Sequence, residues 1–375
     1  MPDVLVIGAG VMGASGAYHL ARAGCRDVLV LDRGPGPGSG STARATGGFR
    51  AQFGTAIHVR LSLLSRSKLL CFREETGGDA GYVPAGYLWL ATTEAELAAL
   101  RAARAVQHAE GLREAVEVVP REIAFLNPAV ALEGVLGGAF CPTDGFLSPM
   151  GLLEGYVQAA MELGVRFRWG EEVRALQRTD SGAVTSAGGH AAGVFVNAAG
   201  AWAGVLTDVP VTPLRRQVAV TAPTEALPPS MPMTIFTDDG FHLRVREGRV
   251  LLLRPSPAVP GDPLDTSVDP AWVDAVTAEA HVRVPLLRDV PVDRARCWAG
   301  LYEMSPDRHA MLGRAPGSPN LYLINGSSGH GVMHAPALGQ LLAEMILEGT
   351  ARSLDVRPLR PERFAEGEPN VGELL

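Results

Sequence analysis

Short apolar runs separated by glycine-rich turns mark the beginning of the chain. Residues 4–7 (VLVI) and 28–31 (VLVL) both have the pattern of a buried strand, and the segment between them, which ends at Gly24, has the pattern of a helix. The order strand, helix, strand within roughly 30 residues is typical of a βαβ unit in a parallel sheet. The pattern therefore predicts an α/β fold whose first unit lies at the start of the chain.

Helical periodicity recurs along the rest of the chain. Apolar positions from Ile57 to Glu75 lie on one stripe that ends at Gly77, and Thr93 begins a capping box with Glu96. Another helix is expected after Asp269, because Asp at the N-cap followed by Pro favours a helix start. The predicted helices cover residues 57–75, 94–109, 152–163 and 332–348, with one more beginning at 270.

The remaining apolar runs predict strands of two kinds. Residues 211–300 have antiparallel character, because 241–245 and 250–254 alternate around Glu247 as a hairpin. We therefore predict a Rossmann-like lobe with a mostly parallel sheet and a second, discontinuous lobe with a mixed or antiparallel sheet. Further strands are expected at residues 82–92, 165–168, 194–197 and 321–325.

The turn after the first strand carries three glycines in the spacing of a dinucleotide site. Gly8 permits the tight turn, Gly10 lets a pyrophosphate approach, and Gly13 lets the helix pack on the strand. The phosphates then lie on free N–H groups at the helix N-terminus. Asp32 ends the second strand, where its carboxylate can accept from a ribose hydroxyl, which suits FAD or NAD better than NADP. The sequence predicts a dinucleotide cofactor, and a turn without a ligand is the alternative.

Two further glycine-rich segments point to an extended cofactor. Residues 34–48 are a long loop of small and hydroxyl side chains, in which Arg44 is a candidate for binding phosphates and a flexible linker is the alternative. The last predicted strand runs into residues 326–331 (GSSGHG) and then into a helix. Two such junctions can hold both ends of one cofactor, whereas a nicotinamide enzyme does not require the second.

These patterns divide the chain into two discontinuous domains. The predicted cofactor domain consists of residues 1–81, 142–210 and 298–356. The predicted substrate domain consists of residues 82–141 and 211–297. Residues 357–375, rich in Pro, Glu and Arg, are expected to form a surface tail.

Composition narrows the possible partners. A net charge of −7 argues against nucleic acid as a partner, because phosphate neutralisation needs a basic surface. The absence of an 18-residue apolar run predicts no transmembrane segment, and a first strand at residue 4 leaves no room for a signal peptide, so a cytoplasmic location is expected. The four cysteines are widely separated and lack metal-ligand spacing, so reduced cysteines and no metal are expected.

Taken in order, these motifs resemble those of the D-amino-acid oxidase superfamily of FAD-dependent amine oxidoreductases. The likeness is greatest to the branch with the sarcosine oxidase and L-proline dehydrogenase β-subunits and glycine oxidase. It covers nearly the whole chain, from residue 4 to about 350. The segments that carry it, besides the first glycine turn, are residues 40–53, 142–145, 197–202, 298–302, 306–307 and 326–331.

The resemblance implies an FAD cofactor held by both glycine-rich junctions. Some relatives attach FAD through a cysteine, but Gly300 stands at that point here and Cys297 lies three residues earlier, so noncovalent FAD is expected. Val173 is expected to meet the adenine through its backbone. The residues expected to bind FAD are Gly8, Gly10, Val11, Met12, Gly13, Asp32, Arg33, Ser41, Thr42, Arg44, Ala45, Thr46, Gly47, Gly48, Val173, Ala199, Gly200, Trp202, Gly300, Gly326, Gly329, His330, Gly331, Val332 and Met333.

The resemblance also implies a small amino acid substrate of the proline, sarcosine or glycine type, oxidised at its C–N bond to an imine by hydride transfer to flavin N5. Arg50 is the first candidate for the carboxylate clamp, because guanidinium binds carboxylate in a bidentate manner. A structural ion pair is its alternative role, and Arg254 is a second candidate. His242, Tyr302 and His330 are the other candidate catalytic residues; the first two could be structural, and His330 could only cap its helix.

The electron acceptor is less determined by the resemblance. Some oxidases of the superfamily keep a lysine over flavin N5, whereas the only lysine of this chain, Lys68, is predicted on the helix after residue 57. We therefore expect a dehydrogenase that passes electrons to an acceptor other than oxygen. A hydrogen-peroxide-producing oxidase and an accessory flavoprotein subunit of an electron-transfer complex are the alternatives. Partner subunits or a homo-oligomer stay open.

Overall fold

The computed structural model describes residues 1–256 and 262–371. The strands in these ranges are β1 Val4–Ile7, β2 Val28–Asp32, β3 Gly48–Phe49, β4 Tyr87–Ala91, β5 Val116–Val118, β6 Gly137–Cys141, β7 Gly145–Phe146, β8 Arg166–Trp169, β9 Leu176–Arg178, β10 Val184–Ala187, β11 Val194–Asn197, β12 Thr212–Val220, β13 Met233–Phe236, β14 His242–Arg246, β15 Arg249–Leu253, β16 Trp298–Met304, β17 Met311–Arg314 and β18 Leu321–Asn325. The helices are α1 Val11–Arg22, α2 Ala56–Leu70, α3 Phe72–Thr76, α4 Glu94–Ala109, α5 Pro120–Leu126, α6 Pro149–Glu162, α7 Ala203–Leu206, α8 Pro270–Arg283 and α9 Gly331–Glu348.

The first sheet has the strand order β17-β18-β11-β1-β2-β8 and is parallel except for β17. Alternate residues of its central strands pack into two separate clusters: Val6 and Val30 lie in one, and Leu5 and Leu29 lie in the other. A parallel sheet covered on both faces explains why these strands are continuous apolar runs. Each fully buried Leu or Val contributes roughly 1.5 to 3 kcal/mol. The predicted Rossmann-like sheet is confirmed.

The second sheet has the order β16-β12-β15-β14-β13-β4-β6-β5 and is antiparallel apart from the β13–β4 pair. Its two faces differ because side chains alternate along each strand. One face is apolar and packs on α8, with Leu88, Leu243 and Leu252 fully buried. The other face carries Arg216 and Arg244, and Arg244 donates to the carbonyls of Thr46 and Gly47 in the long loop after β2. The predicted mixed sheet and its hairpin of β14 and β15 are confirmed.

Three elements differ from the sequence-based expectation. The strand expected at 82–92 begins only at Tyr87, because Pro84 lacks an N–H group and Gly86 has a left-handed φ of 89°. The helix expected at 57–75 is interrupted at Cys71, where α2 ends and α3 begins. Thr93 caps α4 as expected, because its Oγ1 accepts from the Glu96 N–H group, but the Glu96 carboxylate accepts from the N–H group of Thr92 instead of that of Thr93.

The domain limits stay a proposal, and two structural facts bear on them. β16 hydrogen-bonds to β12 in the second sheet, although residues 298–304 were expected in the cofactor domain. The expected C-terminal tail is partly buried, which corrects that expectation. Arg363 is fully buried and donates from Nε to Asp307 Oδ2 at 2.8 Å, and Asn370 also donates to this carboxylate. Residues 372–375 of the expected tail lie outside the described residues.

Candidate functional site

The first glycine turn is shaped for close backbone approach. Gly8 has a φ of 102°, and a Cβ there would clash with the carbonyl of Ala198 at the end of β11. A Cβ on Gly13 would clash with the Gly8 carbonyl, so this glycine lets α1 pack on β1. A Cβ on Gly10 meets only Thr42 Oγ1, at 3.5 Å. The turn is therefore closed on its protein side and open at Gly10, where the first helical N–H groups begin.

Asp32 ties this turn to the end of β2. Its Oδ2 accepts from the Ala9 N–H group and its Oδ1 from the Gly34 N–H group, both at 2.7 Å. Each carboxylate oxygen keeps a second acceptor position, so the contacts leave room for a ribose hydroxyl. The Val11 N–H group donates to Thr42 Oγ1 at 3.1 Å, which places the predicted Ser41–Thr42 segment beside the turn.

Other predicted cofactor residues gather at the same edge of the sheet. The Arg33 guanidinium lies 3.8 Å from the ring centroid of Trp202, which follows Ala199 and Gly200 after β11. The Glu171 N–H group donates to the Asp32 carbonyl, which brings the segment with Val173 toward the end of β2. A cation stacked on an indole ring is held in place by the ring quadrupole.

Arg44, the predicted phosphate ligand, contacts the first residues of β16. Its Nη1 donates to the Ala299 carbonyl at 2.8 Å, and the Trp298 indole N–H donates to the Arg44 carbonyl. A Cβ on Gly300 would lie 3.0 Å from Arg44 Cβ, so this glycine admits the close contact with β16. The side chain thus joins the long loop to the second sheet.

Arg244, which the sequence analysis missed, holds the next part of this loop. It donates from Nη1 to the carbonyls of Thr46 and Gly47 at 2.6 and 3.1 Å, and its guanidinium lies 3.7 Å from the centroid of the Phe146 ring. Burial lowers the pKa of Arg244 to about 10, so it stays charged at neutral pH. An arginine between Leu243 and Val245 in a predicted hairpin strand is the signal that could have found it.

The second glycine junction packs against Tyr302. Gly329 has a φ of 93°, and a Cβ there would clash with the Tyr302 ring. Burial raises the pKa of Tyr302, so its hydroxyl stays neutral. Val332 and Met333 begin α9 behind this junction and pack against the core of the first sheet. Tyr302 is thereby placed between the sheet face and the start of α9.

His330 stands at the N-cap of α9, but its side chain makes no capping hydrogen bond. Its Nε2 lies 3.3 Å from Nη2 of Arg50, and its ring meets Phe53 edge to face at 5.0 Å. Burial lowers the pKa of His330 well below its ordinary value, and the Arg50 charge adds to this effect. The imidazole is therefore neutral and can accept a hydrogen bond from the guanidinium.

Arg50 lies at the centre of the predicted catalytic residues. It is 7% exposed, donates from Nη1 to the Gln52 carbonyl at 2.6 Å, and lies 3.9 Å from the Phe53 ring centroid and 5.0 Å from that of Trp89. Burial lowers its pKa to about 10, which still leaves it charged. The Asp144 carboxylate accepts from the N–H groups of Ala51 and Gln52 and fixes the backbone that carries Arg50.

His242 and the missed residue Arg216 complete this face. His242 donates from Nδ1 to the Gly240 carbonyl at 2.8 Å, and burial, with the charges of Arg216 and Arg50, lowers its pKa to about 4. The Arg216 guanidinium lies 5.7 Å from the Tyr302 ring centroid and donates to the Ser256 carbonyl. The structure thus brings Arg50, Tyr302 and His330 together. His242 on β14 and Arg216 on β12 lie on the same face of the second sheet.

Three more histidines lie near His330, and no local sequence pattern points to them. The rings of His58 and His309 stack at 4.0 Å, and His334 lies 5.6 Å from His58. Thr55 Oγ1 lies between His58 Nδ1 and His309 Nε2 at 3.0 and 3.2 Å. Burial lowers the pKa of His334 to about 3, so its imidazole is neutral.

Other candidates lie elsewhere. Arg254 pairs with Glu279 at 3.2 Å, which removes it as a second clamp. Lys68 lies on α2 and pairs with Glu75 at 3.8 Å. Within residues 1–256 and 262–371, no three His, Cys, Asp or Glu side chains are arranged to hold a metal ion. In the same ranges, no helix has the length and apolar composition needed to cross a bilayer.

Several buried polar atoms near the second junction have no hydrogen-bond partner among the described residues. They are Oε2 of Glu303, both amide atoms of Asn325, Oγ of Ser327 and Nδ1 of His330. Native proteins rarely leave such atoms unsatisfied. Their grouping at the end of β18 and the start of α9 indicates that a polar ligand belongs at this edge of the sheet.

Comparison with known proteins gives one consistent result. Residues 3–345 match the family profile described as "DAO: FAD dependent oxidoreductase". The chain is 30% identical to glycine oxidase from Geobacillus kaustophilus over 372 residues. This aligned region covers 95% of each protein. It is 29% identical to FAD-dependent oxidoreductase domain-containing protein 1 from Bos taurus, over 98% of this chain and 85% of that protein. The crystal structure of L-proline dehydrogenase from P. horikoshii superposes with a TM-score of 0.89 at 27% identity, covering 98% and 99% of the two chains.

Proposed function

Because this chain belongs to the DAO family of FAD-dependent oxidoreductases, we propose that it oxidises the C–N bond of a small amino acid of the proline, sarcosine or glycine type to an imine. The relatives named glycine oxidase and L-proline dehydrogenase support this substrate class. The observation that carries the proposal is the buried, charged Arg50 beside Tyr302 and His330 at the second glycine junction.

The residues present fit FAD. The open turn at Gly10 and the N-terminus of α1 would hold the pyrophosphate, and Asp32 would accept from the ribose. The unsatisfied atoms of Asn325 and His330 would meet polar atoms of the cofactor at the other junction. When bound, FAD supplies the acceptor for the hydride of the substrate C–H bond. Noncovalent binding is supported by Gly300, which stands where some relatives carry the attaching cysteine. A Cβ at this position would lie 3.0 Å from Arg44 Cβ.

Arg50 is proposed to bind the substrate carboxylate. A guanidinium presents two parallel donors to a carboxylate, and in a buried site such charge-assisted hydrogen bonds are strong. Phe53 and Trp89 line the cation with aromatic surface and keep water from the pair. The clamp fixes the α-carbon, so that the C–H bond is oriented before reaction.

The surroundings of the clamp favour a neutral substrate amine. The cations Arg50 and Arg216 lie near Tyr302 and His242 and disfavour a further positive charge there. A neutral amine has the lone pair that C–N oxidation requires, so no separate base is needed for the hydride step. The neutral His330 imidazole accepts from Arg50 at Nε2 and therefore carries its proton on Nδ1, which is proposed to donate to a polar atom of the bound cofactor.

We propose that electrons pass to an acceptor other than oxygen. The single lysine, Lys68, is engaged with Glu75 on α2 and supplies no charge to this face. The four cysteines are free, which supports the cytoplasmic location expected from the sequence.

Anaerobic reduction of the bound flavin tests the proposal. Proline, sarcosine, glycine and their N-methyl analogues are each mixed with the oxidised holoenzyme, and loss of the visible flavin absorbance is followed. At least one of them is expected to bleach the flavin. Reoxidation is then compared between air and a quinone-type dye, and faster reoxidation by the dye is expected. Flavin that no amino acid bleaches would favour an accessory subunit, and rapid reoxidation by air would favour an oxidase.

A further inference from the structure

Glu303 occupies a special position between the two glycine-rich junctions. It follows Tyr302 on β16, so its side chain points away from the face that carries Tyr302. Its Oε1 accepts from the Ser327 N–H group at 3.2 Å and lies 3.8 Å from a Cβ placed on Gly331. A Cβ placed on Gly200 would lie 3.9 Å from Oε2. The carboxyl group therefore lies between the turn after β11 and the loop before α9.

Only one oxygen of the Glu303 carboxyl has a hydrogen-bond partner among the described residues. Its Oε2 is buried and has no hydrogen-bond partner among the described residues, and both amide atoms of the neighbouring Asn325 are in the same condition. Burial raises the pKa of Glu303 to about 7, although the N–H group and side chain of Ser327 and the N–H group of Gly326 act to lower it. Near neutral pH a large part of the carboxyl is protonated, and Oε2 can then donate a hydrogen bond.

We propose that Glu303 is a cofactor-positioning residue whose protonated carboxyl donates a hydrogen bond from Oε2 to an oxygen of bound FAD, between Gly200 and the start of α9. This inference rests on the FAD site of the proposed function. The ionised carboxylate cannot donate and places a negative charge beside the acceptor oxygen. Binding of FAD therefore holds the proton on Glu303, and FAD affinity depends on pH.

The direction in which FAD affinity changes with pH follows from proton linkage. FAD binding raises the pKa of Glu303 further above its value in the apoprotein, so the extra affinity is complete below pH 7. It is lost as the pH rises through the pKa of the bound state. Reduction of the cofactor adds negative charge nearby and strengthens the hold on this proton. The midpoint potential is thus expected to fall more steeply with pH in the native protein than in a variant without the titrating group.

Titration of the apoprotein with FAD, followed by quenching of flavin fluorescence between pH 6 and 8.5, tests the inference. The native protein is expected to lose about tenfold in affinity across this range, the effect of one hydrogen bond. Glu303→Gln keeps an N–H donor and is expected to bind with the same affinity at every pH. Glu303→Ala is expected to bind about tenfold more weakly than the native protein at pH 6 and equally at pH 8.5.

Glu279→Gln is the matched control, because burial also raises the pKa of Glu279 to about 7 but this residue lies on α8 in the substrate lobe. It is expected to keep the native pH profile. The inference would be overturned if FAD affinity and midpoint potential each depended on pH in the same way in the native protein and in Glu303→Gln. A loss of thermal stability in Glu303→Ala with native FAD affinity would overturn it too and leave a structural role. The titration needs no substrate, so failure to bleach with amino acids refutes the proposed function alone.

Discussion

Replacement of Arg50 by Ala is the most direct probe of the site. The change removes a buried cation that lies between Phe53 and Trp89 and is held by the Gln52 carbonyl. If this cation binds the substrate carboxylate, truncation leaves that carboxylate buried without a partner. Loss of one partner of a buried charge pair costs about 2 to 5 kcal/mol. The second-order rate constant for flavin reduction is therefore expected to fall roughly 30-fold to a few thousand-fold.

Anaerobic stopped-flow reduction at several substrate concentrations measures this loss. Arg50→Lys keeps the charge but lacks the planar fork, so an intermediate loss is expected. Arg254→Ala is the matched control, because Arg254 pairs with Glu279 outside the site, and its rate is expected to be native. Visible flavin absorbance and thermal unfolding are recorded for each variant to show that it is folded and loaded.

The outcome that would refute the reasoning is specific. An Arg50→Ala enzyme that carries FAD and is reduced with the native dependence on substrate concentration would remove Arg50 from the clamp. A fall in the limiting rate with no change in apparent substrate affinity would instead indicate a role in the reduction step itself.

Three other results are expected. Gly10→Val should yield a folded but colourless protein, because a branched side chain fills the open side of the turn; retained FAD absorbance would contradict this. Asp307→Asn should lower the free energy of unfolding by about 3 to 5 kcal/mol in urea titrations, since it leaves buried Arg363 without its charge partner; a change below 1 kcal/mol would contradict it. Stability should fall as the pH drops from about 6.5 toward 4, because the unfolded chain binds protons that buried His242 and His334 exclude, with folded-state pKa values of about 4 and 3; a flat profile over this range would contradict it.

The local pattern of the sequence determined the first βαβ unit. Gly8, Gly10 and Gly13 lie in the predicted turn, and Asp32 accepts a hydrogen bond from it. These residues could be predicted because the whole unit lies within about 30 residues of the chain. The same holds for the second glycine junction and for the hairpin of β14 and β15. Short-range periodicity and turn chemistry are sufficient where the partners of an element are close in sequence.

Only the tertiary structure decided how side chains from distant segments meet. Arg50 and His330 are 280 residues apart in the chain, yet lie 3.3 Å from each other. Arg44 and Arg254 also contact partners, the Ala299 carbonyl and Glu279, that no local pattern discloses.

Glu303 shows the limit of the sequence most clearly. A glutamate between Tyr302 and Met304 has the pattern of a surface position on a half-exposed strand, whereas its Oε2 atom is buried between two glycine turns. Whether a polar side chain meets water or a ligand depends on what packs above it, and that is set by contacts across the whole fold. The sequence thus determined the cofactor class and the two junctions, and the packing of the two sheets decided which side chains line the space between them.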